Sequence, residues 1–367
     1  MEGRRSFDVL LFTAVLCLLV IGMLTVYSAS SAWGMHLEND PFYFVKRQLL
    51  FAGTGVALMI GISYIDYWTW QRWSVVILIV CFALVILVLI PGIGIVRGGA
   101  RSWIGVGAFS IQPAEFMKLG MIIFLSHYTV LRQRWMTHFR KGMLPALMLM
   151  FLAFGLIMLQ PDLGTGTVML GTCFVLLFAA GAKILHFIYL GLIGVAGFVF
   201  LIVSAPYRMA RITSFIDPWS DPLNTGFQII QSLYAVGPGG LFGLGFGESR
   251  QKFYYLPEPQ TDFIFSILAE ETGFIGGAFV LVLFGMVLWR GVVTALHAPD
   301  LFGSFLAIGV TGVIFIQVMI NIGVVIGLFP VTGITLPFLS YGGSSLTLML
   351  LAVGIVLNIT RHRMRVS

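Results

Sequence analysis

The sequence predicts an all-α, polytopic membrane protein with about ten transmembrane helices. A single integral membrane domain is expected over residues 1–367, with one large extracytoplasmic loop. Hydrophobic residues make up 59% of the chain and charged residues only 10%, against roughly 25% charged residues in ordinary soluble domains. The mean hydropathy is +0.99. The charges are also clustered, which leaves uncharged stretches such as 9–37 and 301–360 that are long enough to cross a bilayer.

The apolar segments are expected to form ten membrane-spanning helices. The first, 9–30, follows Arg4 and Arg5, and its apolar run exceeds that of a signal peptide, so we interpret it as a retained helix. The other spans are expected at 48–64, 74–91, 112–130, 143–160, 163–181, 184–204, 263–289, 302–324 and 341–360.

The positions of the basic residues predict that both termini are cytoplasmic. With the N-terminus inside, more than half of the 21 Lys and Arg residues fall in the internal segments, as the positive-inside rule requires. The outer side then contains two long segments, about 92–112 and 205–262. The second is rich in Gly, Pro and charged residues, and long ordered loops of this kind usually bind or catalyse. We therefore expect the function on the outer face.

The remaining composition argues against several other kinds of site. Cys17, Cys81 and Cys173 each lie in an apolar segment and offer neither a disulfide framework nor a paired metal site. The six histidines are scattered without metal-binding spacing. The net charge of +6 comes without a basic run or an RNA-binding signature, and basic loops are normal in membrane proteins, so no nucleic-acid partner is expected.

Asp262 lies where the polar outer loop enters an apolar helix. A carboxylate in that position is partly desolvated, which raises its pKa toward the range of a general base. The same position also suits a helix N-cap, in which Thr261 or Asp262 accepts a hydrogen bond from the first turn. The sequence leaves both interpretations open.

A second cluster joins Arg97 and Arg101, near flexible glycines, to Glu115 and Lys118 at the start of the fourth span. Glu115 and Lys118 are three residues apart and therefore lie on one helix face. They could form an internal ion pair whose mutual neutralisation allows both to enter the membrane. Alternatively, Lys118 and the two arginines could bind a phosphate or pyrophosphate, because intramembrane charges are rare and usually functional.

Two further elements combine polar residues with helix breakers. Asp162, in a Gln-Pro-Asp sequence between two spans, is interpreted mainly as an N-cap. Asn321 lies in an apolar helix and is followed by Pro330, Gly333 and Ser340. Helix breakers at membrane depth are tolerated where protein or a cavity satisfies the backbone. We therefore predict an irregular re-entrant element that forms a cavity wall.

These four elements, in this order, resemble those of the SEDS family of integral membrane proteins, which includes FtsW, RodA and SpoVE. The resemblance covers essentially the whole chain and implies the SEDS fold. Segments such as 101–118, 204–211 and 228–240 look most like the sporulation branch. The part that is similar to the C-terminal signature of the family comprises Asn321, Pro330, Gly333, Ser340, Gly342, Gly343 and Ser344.

The resemblance implies a peptidoglycan glycosyltransferase that polymerises lipid II, an undecaprenyl diphosphate-linked disaccharide peptide, outside the cytoplasmic membrane. It also implies a class B penicillin-binding transpeptidase as partner and spore cortex synthesis as the setting. The essential aspartate of the family falls on Asp262, its outer-loop arginine on Arg101, its Glu/Lys pair on Glu115 and Lys118, and its Gln-Pro-Asp acid on Asp162. Arg47 and Ser340 are further candidate substrate-binding residues.

Glycosyl transfer from a diphosphate sugar requires a base for the acceptor 4-hydroxyl and cations for the departing pyrophosphate. Asp262 would supply the base. The cations would come from Arg101 and Lys118, with Arg47, Arg208 and Arg211 as further candidates. A divalent cation such as Mg²⁺ or Mn²⁺ could bridge the diphosphate, although the sequence offers no dedicated site. Membrane lipid would meet the helices, and grooves between them would hold the polyprenyl tails.

Two other functions fit parts of the same pattern. A lipid II flippase would also have ten spans with broken helices and buried charge. However, the unusual charges cluster toward the outer face rather than the midplane, which favours surface chemistry. A non-catalytic scaffold that recruits a synthase would fit the hydrophobic bulk but would leave the loop at 205–262 unexplained.

Overall fold

A computed structural model describes residues 7–97, 99–106, 109–203, 209, 213, 215–224, 226–253 and 255–362. Within these residues, eight helices are long and apolar enough to cross a membrane. The chain is a multi-pass membrane protein. Its helices are α1 (Val9–Glu38), α2 (Tyr43–Ile62), α3 (Trp68–Leu89), α4 (Pro113–Leu131), α5 (Leu144–Met158), α6 (Leu163–Ala179), α7 (Ile184–Val203), α8 (Phe227–Val236), α9 (Ile264–Leu296), α10 (Leu301–Val325) and α11 (Gly343–Arg361).

Each of the ten expected spans coincides with one of these helices, and α8 is an additional short helix in the long segment between α7 and α9. The expected starts of α2 and α3 were several residues too late, at 48 and 74 instead of Tyr43 and Trp68. Both helices begin with aromatic and basic side chains, which lower local hydropathy yet are favourable at a membrane interface. The apolar helix α6 is only 17 residues long. The helices with the largest buried share are α4, α10 and α11, which form the centre of the bundle.

The segment over 92–112, which was expected on the outer side, contains a small antiparallel sheet that the all-α prediction did not include. Strands β1 (Ile95–Arg97), β2 (Ala100–Val106) and β3 (Phe109–Ile111) pair in the order β1-β2-β3. The register pairs Val96 with Arg101 and Ile104 with Ile111. The sheet leads directly into α4, where Pro113 occupies the first turn and fits because that turn needs no intrahelical N–H donor.

The start of α1 and the end of α11 lie together at one end of the bundle. Asp8, before α1, forms a 2.7 Å ion pair with Arg290 near the end of α9. The guanidinium of Arg361, the last residue of α11, lies 5.4 Å from the ring centroid of Phe7. The amide of Tyr67, between α2 and α3, donates to Asn358 Oδ1 at 2.9 Å. The starts of α2, α4, α6 and α11 are therefore at the opposite end.

The long loop between α7 and α9 is attached to α9 by buried polar contacts. The carboxylate of Glu270, on α9, accepts hydrogen bonds from the Ser249 hydroxyl and, at 3.0 Å, from the Arg250 amide. The ammonium of Lys252 lies 3.6 Å from the carboxylate of Glu271. Glu270 and Glu271 are charged and lie within an apolar helix. The loop that supplies their partners is therefore held tightly against α9.

A break in α9 makes room for the same loop. Gly273 has φ 66° and ψ −164°, a left-handed conformation that only glycine adopts easily. The amide of Phe274 donates to the carbonyl of Gly240 in the loop at 2.8 Å instead of continuing the helix. A hydrogen bond from the helix to the loop therefore replaces a hydrogen bond within α9, at a position between Asp262 and the end of α9.

Candidate active site

A cavity of about 520 Å³ lies at the end of the bundle opposite the start of α1 and the end of α11. Its size is within the range of small-molecule sites. The lining residues come from six helices, the sheet, the segment before α9 and the segment between α10 and α11. Those that bear polar or charged side chains include Arg47, Ser102, Gln112, Glu115, Lys118, Asp162, Gln228, Glu258, Asp262, Gln317 and Thr335.

Asp262 lines this cavity two residues before α9 begins. The N-cap position of α9 is occupied by Phe263, so the alternative in which Asp262 or Thr261 caps the helix was wrong. Turns over 258–263 bring the chain to α9 and leave the carboxylate on the cavity wall. Gly333 approaches it from the re-entrant segment, where a β-carbon would lie 3.6 Å from Asp262 Oδ2. A contact at that distance would be ordinary, so the φ of 72°, and not lack of space, is the reason for glycine at this position.

Glu115 and Lys118 form an ion pair of 2.8 Å on the first turns of α4. Their side chains are 8% and 4% exposed, and both line the cavity. The two interpretations of this pair are therefore compatible. The charges neutralise each other within the bundle, and they also face the space in which a ligand would bind.

Asp162 caps α6, as the sequence predicted, and also connects two elements of the cavity wall. Its Oδ1 accepts from the amide of Thr165 at 3.1 Å. Its Oδ2 accepts from Gln112 Nε2 at 2.7 Å, which joins the start of α6 to the residue before α4. Burial raises the pKa of Asp162, because it penalises the charged carboxylate more than these two hydrogen bonds favour it.

Arg47 contributes a cation to the cavity from the beginning of α2. Its guanidinium lies 4.1 Å from the ring centroid of Tyr43, one turn earlier on the helix. This stacking fixes the side chain near the start of α2 while leaving its N–H groups available for other partners. Arg47, to which the family resemblance pointed, thus lines the cavity, and its role in substrate binding stays a prediction.

The structure does not bring two predicted substrate-binding residues to the cavity wall. Arg101, on β2, is not among the residues that line the cavity, although its neighbours Ala100, Ser102 and Trp103 are. Ser340 is 4% exposed, and its hydroxyl accepts a hydrogen bond from the amide of Leu336 at 2.8 Å. It stabilises the backbone turn behind the wall. Arg208 and Arg211 lie outside the described residues.

The segment between α10 and α11 is irregular, as expected, and forms one wall of the cavity. Side chains and backbone from several elements satisfy its polar groups. Gln48 Nε2 donates to the carbonyl of Ser340 at 3.1 Å, and Asn321 Nδ2 donates to that of Ile334 at 2.7 Å. The amide of Tyr341 donates to the carbonyl of Gln260 at 2.8 Å.

Sequence reasoning missed three amide side chains of the site. Gln228 on α8 and Gln317 on α10 line the cavity, whereas Gln48 on α2 supports its wall. A signal for Gln317 was present, because it lies four residues before Asn321 in an apolar helix. That spacing places two polar side chains on one helix face. Gln228 gave no comparable signal, since its helix lies inside a loop.

The carboxylates of the site do not form a compact metal centre. Over the part of the chain that the structure describes, no three His, Cys, Asp or Glu side chains form a group that could hold a metal ion. Asp162 and Glu258 nevertheless place carboxylate groups, the ligands that Mg²⁺ and Mn²⁺ prefer, on the cavity wall.

Comparison with protein families decides the relationship that the motifs suggested. The FtsW/RodA/SpoVE family, described as cell cycle proteins, matches residues 8–365. This chain belongs to that family. It is 65% identical over 359 residues to stage V sporulation protein E of Bacillus subtilis, with 98% of each chain covered. It is 41% identical to the probable peptidoglycan glycosyltransferase FtsW of a Geobacter species, with 100% of this chain and 99% of that relative covered.

Solved structures of family members have the same fold. A chain of a peptidoglycan synthase complex, studied for the structural coordination of polymerization and crosslinking, superposes with a TM-score of 0.80. That chain is 34% identical, and the match covers 97% of this chain and 98% of that one. The rod shape determining protein RodA of Thermus thermophilus has a TM-score of 0.70 and 30% identity, with 98% of each chain covered. Both matches extend along nearly the whole length of this chain.

Proposed function

We propose that this protein polymerises lipid II into glycan strands at the outer face of the cytoplasmic membrane. Asp262 acts as general base on the acceptor hydroxyl, and undecaprenyl diphosphate is the leaving group. The observation that carries the proposal is the convergence of Asp262, the Glu115–Lys118 pair and Arg47 on one cavity. Together they provide a base and two cations, which glycosyl transfer from a diphosphate sugar requires.

The proton and the new bond are assigned as follows. The carboxylate of Asp262 takes the proton from the 4-hydroxyl of the acceptor sugar. The hydroxyl oxygen then attacks the anomeric carbon of the donor sugar from the face opposite the diphosphate. Contacts on both sides of Asp262 hold it for this role, because Asn321 binds its main-chain oxygen and Gly333 allows the re-entrant segment to approach its side chain.

The leaving group receives the electrons of the broken bond. As the bond from the anomeric carbon to the diphosphate oxygen breaks, its electron pair moves to the diphosphate, whose charge Lys118 and Arg47 stabilise. A good leaving group needs no second carboxylic acid to protonate it, in contrast to glycoside hydrolysis. Arg101, Arg208 and Arg211 remain candidates for diphosphate binding from the outer loops.

A divalent cation, Mg²⁺ or Mn²⁺, is proposed as an accessory to the diphosphate. Asp162 and Glu258 are the residues that would offer it oxygen ligands, and the ion would neutralise part of the diphosphate charge. Lys118 and Arg47 act on the diphosphate whether or not the ion is bound.

The biological setting follows from the most similar relatives. The 65% identity to stage V sporulation protein E supports a role in spore cortex synthesis. The similarity to a chain of a peptidoglycan synthase complex supports a class B penicillin-binding transpeptidase as partner. We further propose that both termini are cytoplasmic, so that the cavity at the opposite end of the bundle faces outward. Loss of rod shape or of septation in a deletion strain, without a sporulation defect, would contradict the cortex assignment.

The proposed activity is tested by lipid II polymerisation with purified protein, alone and with its class B partner. Wild type should yield glycan chains in at least one of these settings. Asp262→Asn, which keeps the size of the side chain but removes the base, should yield none. The matched control is Asp217→Asn, because Asp217 is an exposed outer-loop carboxylate that does not line the cavity. This control should polymerise like wild type.

The same preparation separates the enzyme from the flippase. If reconstituted wild-type protein translocates lipid II across liposomes and makes no polymer in either setting, the protein is a transporter and not an enzyme. Binding of the transpeptidase without polymerisation or translocation would instead support a scaffold. Folding of each variant is checked by its thermal unfolding, so that loss of activity is not confused with loss of structure.

A further inference from the structure

The connection between α4 and α5 carries basic side chains that the proposed reaction does not use. Residues 132–141, the basic loop, contain four exposed cations: Arg132, Arg134, Arg140 and Lys141. Within the described residues, none of the four takes part in an ion pair. The sequence has no Asp or Glu from residue 116 to residue 161. The loop follows the end of α4, whose start lines the cavity, so it lies at the opposite end of the bundle.

Two other cations at this end of the bundle have partners within the protein. Arg290 pairs with Asp8, and the guanidinium of Arg361 lies 3.9 Å from the ring centroid of Tyr64. The positive-inside rule explains why basic residues collect at one end of a membrane protein, but it does not require that four of them share one loop without an acid. Because like charges repel, such a group is suited to binding an anion from outside the protein.

The backbone of the basic loop is fixed to the bundle. The side chain of Met136 is 1% exposed. Tyr128 Oη, on α4, donates to the carbonyl of Gly142 at 2.8 Å, just after the loop. A β-carbon on Gly142 would lie 2.2 Å from the carbonyl oxygen of Trp135, so only glycine allows this close approach. A ligand that binds here therefore meets a smaller ordering cost than it would on a flexible segment.

The loop also combines a cation with an aromatic ring. Lys141 Nζ lies 4.6 Å from the ring centroid of Trp135, and Trp135 is 41% exposed. An indole with an exposed face is favourable at the headgroup level of a bilayer. Arg140 and Lys141 belong to a π-helical turn over Phe139–Met143, a rare conformation that is frequent at functional sites. The ammonium is thus held beside an indole while its N–H groups can still donate to a ligand.

An apolar stripe leads from the basic loop along α5. Leu144, Met148 and Leu152 are all exposed, and their spacing of four residues places them on one face of the helix. The stripe begins one turn after Lys141. Cations followed by an apolar stripe match a ligand that has an anionic head and a hydrocarbon chain, whereas a soluble anion would use only the cations.

We propose that the basic loop binds the phosphate headgroup of an anionic phospholipid, with an acyl chain along the stripe on α5. Groups of four or more Lys and Arg beside a membrane helix attract anionic lipids, and guanidinium groups can bind phosphate through two parallel hydrogen bonds. The bound lipid neutralises the loop and holds this corner of the bundle at the level of the headgroups. This binding does not depend on the proposed catalytic activity.

The test uses the full chain in bilayers that mix phosphatidylcholine with phosphatidylglycerol, with one of the two lipids brominated on its acyl chains. Bromine quenches the fluorescence of nearby indoles. Since the chain has 8 Trp residues, the signal of Trp135 is taken as the difference between wild type and Trp135→Phe. Each cation near an anionic surface contributes about fivefold in affinity, so we expect a preference for phosphatidylglycerol of about tenfold or more at Trp135.

Removal of the charges should remove the preference. The triple variant Arg134→Gln, Arg140→Gln, Lys141→Gln should be quenched equally by the two lipids, and Arg140→Gln alone should lower the preference by about fivefold. Lys46→Gln is the matched control, because Lys46 is an exposed cation at the start of α2, at the other end of the bundle. It should leave the preference unchanged. Thermal unfolding of each variant reports on the fold.

Three results would overturn the proposal. The first is equal quenching of Trp135 by both lipids in wild type, and the second is a preference that persists in the triple variant. The third is displacement of phosphatidylglycerol by inorganic phosphate at millimolar concentration, which would assign the loop to a soluble anion. If wild type shows no lipid preference but polyglutamate changes the fluorescence of Trp135, the loop binds an acidic protein and not a lipid.

Discussion

Asn321 donates hydrogen bonds from one amide nitrogen to the main-chain oxygens of Asp262, at 2.8 Å, and Ile334, at 2.7 Å. Asp262 precedes α9, and Ile334 belongs to the re-entrant segment between α10 and α11. A single side chain of α10 therefore fixes the proposed base relative to the opposite wall of the cavity. The amide is 1% exposed, so water does not compete strongly for these bonds.

Asn321→Asp should impair catalysis without removing any group that reacts. A carboxylate would face two carbonyl oxygens to which the amide now donates, so the segment that carries Asp262 would shift. Because misplacement by about 1 Å can cost about 100-fold in rate, we expect kcat for lipid II polymerisation to fall by about that factor, with a smaller change in KM. Steady-state kinetics with the purified protein would measure both constants.

Asn358 provides the matched control for this variant. It is equally buried, on α11, and its Nδ2 donates to the carbonyl of Ser63 at 3.0 Å, at the end of the bundle away from the cavity. Asn358→Asp should lower the thermal stability but leave kcat near that of wild type. Equal losses of kcat in the two variants would mean that Asn321 matters only for folding.

The buried Glu115–Lys118 pair allows stability to be separated from activity. Lys118→Met leaves a buried carboxylate without its partner, which should destabilise the protein by about 3–5 kcal/mol. The double variant Glu115→Gln, Lys118→Met removes both charges and should recover most of that loss in chemical denaturation. It should remain inactive in polymerisation, because the diphosphate has lost its cation. Recovery of both activity and stability would mean that the Glu115–Lys118 pair does not act on the diphosphate.

Arg47 should act mainly in substrate binding. Arg47→Gln keeps a polar side chain but removes the charge near the cavity, and a charge-assisted hydrogen bond contributes about 1.5–3 kcal/mol. We expect KM for lipid II to rise by about tenfold or more, with a smaller effect on kcat. The neighbouring Lys46 is 66% exposed and pairs with Asp40, so Lys46→Gln makes the same change in net charge as a control. Equal increases in KM for the two variants would indicate a general electrostatic effect.

The raised pKa of Asp162 predicts a pH-dependent contribution to stability. Its pKa is higher in the folded than in the unfolded protein, so folding favours the protonated form. This contribution is fully present below the unfolded value of about 3.9 and is lost as the pH rises through the folded value. Relative to Asp162→Asn, which keeps an oxygen for the amide of Thr165, wild type should therefore lose stability as the pH rises from about 4.

Thermal unfolding of the two proteins in detergent between pH 4 and 8 checks this sign. The difference in free energy of unfolding should change by about 1.4 kcal/mol for each unit by which the folded pKa exceeds the unfolded one. A difference that is constant over this range would contradict the assignment. A difference with the opposite slope would mean that the hydrogen bonds from Gln112 and Thr165 outweigh the burial.

The sequence was sufficient for the membrane fold because the bilayer imposes a strong local constraint. Each span needs a long apolar run, and helices satisfy their own backbone hydrogen bonds, so the ten segments could be located within a few residues. The small sheet over 95–111 escaped prediction because it consists of two three-residue strands around one of seven residues, too short for a clear alternating pattern.

Within the site, the sequence by itself determined which residues carry unusual chemistry, since charges in apolar surroundings are conspicuous. Asp262, Glu115, Lys118 and Asp162 were found in this way, whereas Arg47 came from the family resemblance, and all five line the cavity. Only the tertiary structure decided which side chains face that cavity. It left Arg101 and Ser340 off the cavity wall and added Gln317, because backbone turns and helix packing depend on contacts between residues far apart in the chain.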